Sequence, residues 1–152
     1  MGYAILIALL YAHAAEYLIH RFVMHRPWMG RVWWYTDHTV EHHARGRLDI
    51  NVDLSPMTVI LVASPLLVGC LWVPWQWWVM IVFVSAGLYA DLWTALHRAH
   101  HGIEVGVGLR FISKLPCYAY WKNHHLRHHT QPSRNFGTVF PWTDWLMWTR
   151  AA

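Results

Sequence analysis

Three long apolar runs restrict this chain more than any other feature. Residues 1–19, MGYAILIALLYAHAAEYLI, hold only His13 and Glu16 as strongly polar side chains. Residues 57–73, MTVILVASPLLVGCLWV, carry no charge, and residues 77–96, WWVMIVFVSAGLYADLWTAL, carry one, Asp91. A bilayer-spanning helix needs about 20 mainly apolar residues, so the outer two runs suffice and the middle one is at the short limit. In hydrocarbon a backbone has to satisfy its own hydrogen bonds, which makes each run a helix. The competing reading is a set of core helices in a soluble domain. Only 13% of the 152 residues are charged, about half the usual share of a soluble domain, which favours the membrane. The expected fold is an all-α integral membrane domain over residues 1–152, with about three transmembrane helices and further cytoplasmic or interfacial helices.

The flanks of these runs orient them. The first run lacks a basic leader and a small-residue cleavage site, so it reads as a retained segment and not a signal peptide. The link VPWQ, residues 73–76, predicts a tight hairpin between the second and third runs, with Trp72, Trp75, Trp77 and Trp78 suited to a membrane–water interface. Three crossings place residues 20–56 and 97–152 on one side. All twelve Lys and Arg fall in those stretches, which puts that side in the cytoplasm, as for a bacterial inner-membrane protein. Twelve of the thirteen histidines share that face.

The histidines come in four groups: His20 with His25; His38 with His42 and His43; His97 with His100 and His101; and His124, His125, His128 and His129. The first and third sit where the first and third runs leave the membrane. Residues four apart share a helix face, which pairs His38 with His42, His97 with His101, and His125 with His129. His43 and His128 lie about 100° further round, where they reach a second ion or another side of the same one. His20 and His25 are five apart, poor for one face, so the helix is expected to unwind or end between them, or each to serve differently. A lone histidine is more often structural than a ligand, and His13, two turns from the cluster face, is read that way. Four clusters on one side of the membrane are not explained so. Imidazole suits zinc, copper, iron and nickel. About ten imidazoles exceed the four that one zinc ion takes, so two ions are expected. A neutral all-nitrogen dinuclear site with open positions suits O2 activation by iron, and the same donors accept zinc. Cys70 and Cys117 match no metal or redox spacing; Cys70 reads as a buried free thiol.

The pattern HX4H, HX3HH, HX3H and HX2HH, followed by NFGTVFPWTDWLMWT at residues 135–149, resembles the fatty acid hydroxylase/sterol desaturase superfamily of membrane di-iron oxygenases, from about Glu16 to Thr149. The resemblance implies ten ligands: His20, His25, His38, His42, His43, His97, His101, His125, His128 and His129. His100 and His124 are additional to the pattern and are second-choice ligands. It implies two iron ions, with zinc able to replace them in recombinant material, and the use of O2 and two electrons to hydroxylate or desaturate a lipid chain. A separate donor of the ferredoxin or cytochrome type would supply the electrons. Two departures stand out. Family members usually have four membrane helices where three are counted here, so a neighbouring subunit in a homo-oligomer, or an N-terminal helix, would supply the fourth. The second box also has three intervening residues where two are common. The carotenoid ring hydroxylases have similar first boxes, HRFVMH among them, but a different ending.

Metal-bound imidazoles usually donate their second N–H to a carboxylate or carbonyl. Glu16, one turn before His20, and Asp91, six residues before His97, are candidates to orient ligand histidines; a bond between helices is the equal alternative. Glu41 lies inside the second box. Asp144 is expected to cap the C-terminal helix or to bond a ligand histidine, and Asn135 and Gly137 to form a turn. Gly102–Gly108 reads as a loop, a candidate border of the substrate entrance. The basic residues are interleaved with the boxes and membrane exits, so they fit anionic lipid headgroups and no nucleic acid. Two other classes compete with the oxygenase. A non-catalytic membrane metal-binding protein predicts exchangeable metal and no use of O2. A zinc hydrolase needs a general base, for which Glu41 could serve, but ten histidines are then excessive.

Overall fold

The computed structural model describes residues 2–27, 33–48, 64–104, 106 and 110–151, and all the regular structure among them is helical. Helix α1, Gly2–Ile19, continues as a π-helical turn over His20–Met24. The short α2, Trp33–Tyr35, runs into a second π-helical segment, Thr36–Ala44. A 3-10 helix, Ser64–Leu71, precedes the long α3, Trp75–His100. After a 3-10 turn at Ile112–Lys114 come α4, Tyr118–Thr130, and α5, Trp142–Leu146.

Two helices are long and apolar enough to cross a membrane, Gly2–Met24 and Trp75–His100. Their apolar side chains face outward as well as inward. Ile5, Leu6, Ile7, Leu10 and Leu18 are exposed on α1, as are Met80, Phe83, Val84 and Leu88 on α3. Left in water, each such side chain would forgo roughly 1.5–3 kcal/mol of burial, so a lipid surround accounts for them better than water does. The third expected crossing, residues 57–73, is described from Ser64 onward. Its described part, Ser64–Leu71, is a 3-10 helix and not an α-helix, so among the described residues two spanning helices stand where three were expected.

α1 and α3 pack in parallel. Ala8 meets Trp78, Ile81 and Val82, and further along His13 and Glu16 meet Tyr89. The small Ala8 lets the helices approach closely. Both helices therefore end at the same level, α1 at His20 and α3 at His97–His100. The chain leaves that level after Ala44 and re-enters α3 at Trp75, about 33 Å away along the helix axis. Trp72 and Trp75 are exposed at that far end, as expected for an interface. A second core joins Trp93 and Leu96 of α3 to Ile112 and Val139. The chain after α4 folds back along the lower half of α1, where the Tyr17 hydroxyl meets Thr149 Oγ1 at 2.9 Å and His13 Nε2 meets Thr143 Oγ1 at 3.3 Å. Both cysteines are free; Cys70 is only partly buried and Cys117 is exposed.

Candidate metal centre

Ten imidazoles gather at the common end of α1 and α3 in two groups of five. The first holds His20, His25, His38, His43 and His128; the second holds His42, His97, His101, His125 and His129. Within each group the available ring nitrogens lie within 4.8 Å of one another. The groups abut, with the His43 ring stacked on His129 at 4.3 Å.

Helix geometry decides which histidine joins which group. α4 is a regular α-helix, so His125 and His129, four apart, face the second group, while His128 turns to the first. His97 and His101 make the same four-residue pair at the end of α3. The other two boxes lie on π-helical turns, which hold more residues per turn than an α-helix and bring residues five apart onto one side. His20 and His25 accordingly face each other at 5.1 Å between ring centroids: as expected the helix ends between them, at Met24, after widening into the π-turn. His38 and His43 likewise meet, Nε2 to Nε2, at 3.2 Å. This corrects the pairing of His38 with His42 expected for an α-helix: the two belong to different groups. The three-residue spacing of the second box on a π-turn thus achieves what the two-residue spacing of the last box achieves on an α-helix.

Backbone carbonyls hold several of the rings. His20 Nδ1–H donates to the Phe136 carbonyl, His42 Nδ1–H to Arg47 O at 2.6 Å, and His128 Nδ1–H to Arg134 O at 2.6 Å. Gly46 makes the His42 bond possible. Its φ of +71°, which costs a glycine little, ends the π-segment and brings Arg47 O back to the ring. With the proton on Nδ1, each Nε2 presents a lone pair to the centre. Neighbouring Nε2 atoms lie 2.8 Å apart for His20 and His38, and 3.0 Å apart for His25 with His128, His97 with His42, and His101 with His125. One proton can bridge one such pair, but five converging lone pairs repel unless a cation lies among them. The donor sets therefore fit one metal ion each.

Burial, and next the neighbouring imidazoles, keep these rings neutral. His43 and His101 are lowered to about 4, and His38, His125 and His128 lie well below the ordinary range. Neutral imidazole is the metal-binding form. Because the folded values are depressed, the unfolded chain binds more protons below about 6.5, so stability falls as pH drops from there toward 4. Metal-stripped protein is expected to melt at progressively lower temperature from neutral pH down to about 5, by circular dichroism in detergent; a flat profile contradicts this.

The candidate carboxylates do not touch the ten rings. Asp91 is exposed on α3, and Glu41 pairs with Arg45 at 2.6 Å. Glu16 accepts hydrogen bonds from the Tyr89 hydroxyl and the Thr138 N–H, the latter at 2.7 Å. Asp144 provides no cap to α5. Its Oδ1 accepts from Phe136 N–H and Thr149 Oγ1, and its Oδ2 from Gly137 N–H and His124 Nε2–H. Burial raises its carboxyl, but these four bonds outweigh that and leave it below the usual value. His124 is thus engaged by Asp144 outside both groups. His100 is also outside them: it is buried, with its ring 5.2 Å from His125 and no hydrogen-bond partner on either nitrogen. His13 bonds Tyr89 at 2.6 Å. The expected turn at Asn135 and Gly137 lies earlier, closed by Arg134 N–H on Gln131 O, and Asn135 follows it in the left-handed region with φ of +56°. Of the Gly102–Gly108 loop, Val105, Val107 and Gly108 lie outside the described residues.

Regular structure that is all helical among the described residues, with two membrane-length helices there that end at paired imidazole clusters, defines a membrane-associated histidine-box protein able to bind metal. It belongs to the fatty acid hydroxylase family, whose model matches residues 5–149. No curated protein and no solved structure matches the chain.

Proposed function

We propose that this chain is a membrane di-iron oxygenase that hydroxylates, or desaturates, a lipid acyl or sterol-like chain. The observation that carries this reading is the pair of five-imidazole clusters at the shared end of two membrane-length helices, in a chain of the fatty acid hydroxylase family. Each cluster holds one ion, and the ten clustered histidines are the ligands. When bound, the irons supply O2 activation toward an unreactive C–H bond. For hydroxylation, one oxygen atom enters the C–H bond and the other leaves as water, with two electrons and two protons consumed. A separate ferredoxin- or cytochrome-type donor delivers the electrons.

The protein's own part is to hold and to exclude. Neutral imidazoles add no negative charge, so the ions keep their full Lewis acidity. Carbonyl bonds from Phe136, Arg47 and Arg134 hold His20, His42 and His128 in one tautomer and orientation. Trp93 lies flat on His97 at 4.7 Å, and with Leu96 and Val139 it keeps water from that side of the second centre. A lipid chain lying along α1 and α3 reaches the clusters at the cytoplasmic interface, the side carrying the basic residues.

The test is metal analysis of detergent-extracted protein produced with added iron, alongside lipid extracts of membranes with and without the chain. One iron per cluster, and an oxygenated or desaturated lipid that appears only with the chain, are expected. One ion or fewer per chain with unchanged lipids would instead indicate a metal-binding protein without catalysis. A hydroxylated carotenoid ring as the product would move the assignment to the carotenoid ring hydroxylases.

A further inference from the structure

We propose that Glu16 and Asp144 are positioning residues for the first centre alone, acting through the backbone strap Arg134–Val139, so that one ion can be loosened without the other. This rests on the reading above that each cluster holds an ion.

The strap's hydrogen bonds and ring contacts to ligand histidines all fall on the first centre; its Val139 meets the second only through Trp93, which stacks on His97. Its carbonyls at Phe136 and Arg134 accept the Nδ1–H groups of His20 and His128, both first-group rings. Its Phe136 ring packs against His20, His25 and His128 at 5.4–5.7 Å between centroids. The anchored ring of the second group, His42, uses Arg47 O instead, on a different segment of the chain.

Two carboxylates, in turn, hold the strap. Four successive N–H groups point at them: Phe136 and Gly137 at Asp144, at 2.8 and 2.7 Å, and Thr138 and Val139 at Glu16 Oε1, at 2.7 and 3.3 Å. Hydrogen bonds to an ionised acceptor are about twice as strong as neutral ones. Asp144 is fully buried and the Glu16 side chain is only 6% exposed, and a charge withdrawn from water is retained only when its hydrogen bonds are made. Asn135 fixes the start of the strap, donating to His124 O at 3.0 Å and accepting from Ala151 N–H at 2.7 Å. At Gly137 a Cβ would lie 2.5 Å from Phe140 O, so only glycine lets the strap lie this close to Phe140 and Asp144. Displacing the strap moves the acceptors of His20 and His128, while the His42 bond to Arg47 O in the second group stays in place.

Asp144→Asn is the incisive variant. Both oxygens of Asp144 accept two hydrogen bonds, so an amide of the same shape turns its NH2 onto two donors. Loss of an outer partner typically lowers metal affinity about 10–100-fold, and that loss is expected for one ion only. The measurement is competitive chelator titration of detergent-solubilised protein loaded with zinc or iron, resolving two affinities per chain. Glu16→Gln should give a smaller loss, because its amide oxygen still accepts from Thr138 and Val139. Combined with His20→Ala, Asp144→Asn should add little. Combined with His97→Ala, it should weaken both sites. Retention of the second ion itself reports a folded chain. Should Asp144→Asn fail to fold, Thr149→Val, which removes one bond to Oδ1, carries the same test. Fewer than two ions in the unaltered chain overturns the two-centre reading. Two ions there, with both affinities unchanged or both falling alike in the folded variants, overturns the strap.

Discussion

Replacing His38 and His43 together by alanine is expected to remove one ion and leave the other, and replacing His97 and His101 together to do the converse. Each pair contributes two of the five imidazoles of one centre, and three remaining rings hold an ion poorly in a site built for five. Lipid oxidation should fall by more than about 100-fold in both, beyond the 10–100-fold that loss of an outer partner brings, because the proposed chemistry uses both ions. The informative comparison is His38→Ala with His42→Ala. On a straight α-helix these two would serve one ion. On the π-turn they serve different ones, so this double variant should weaken both sites and empty neither. Metal content per chain and product yield in membranes read out all three variants. Selective loss of a single ion from the His38/His42 pair would contradict the partition.

The second large effect concerns chain length inside the boxes. Inserting one alanine after Leu126 rotates everything downstream on α4 by about 100°, which turns His128 and His129 away from their centres. Product formation should fall by at least about 100-fold, with loss of metal from both sites. Removing Val40 is expected to be far milder. The π-segment Thr36–Ala44 carries the extra residue that separates His38 from His43 by five positions, and without Val40 the segment can close to an α-helix in which the two are four apart and still share a face. Retention of both ions, and of product within about tenfold, is expected on that geometric ground. If deletion and insertion prove equally damaging, the π-turn is not what accommodates the second box.

The acids show where reading the sequence fell short. Glu16, Glu41, Asp91 and Asp144 stood near histidines in the sequence, yet none meets the ten clustered rings. The acceptors for His20, His42 and His128 are main-chain carbonyls of Phe136, Arg47 and Arg134. Every residue has such a carbonyl, so no residue type marks one that will serve. A weak signal did exist. Gly46 after the second box, and Asn135 after the last, both with positive φ, mark places where the chain can reverse and present a carbonyl to the preceding helix. The third crossing differs again: residues 57–63 lie outside the described part of the fold, and Ser64–Leu71 is a 3-10 helix of 8 residues.

The sequence by itself determined the helical class and the long apolar runs, two of which are membrane-length helices, while the resemblance of its boxes to a known family singled out the ten histidines. The class and the apolar runs follow from side-chain type and period, which are written in the residue order. Only the tertiary structure decided how the ten divide into two groups of five. That division depends on the number of residues per helical turn at His20–Met24 and Thr36–Ala44, and on where the strap lies against α1. Backbone hydrogen-bond register and long-range packing set both, and neither leaves a mark in the identity of any one side chain.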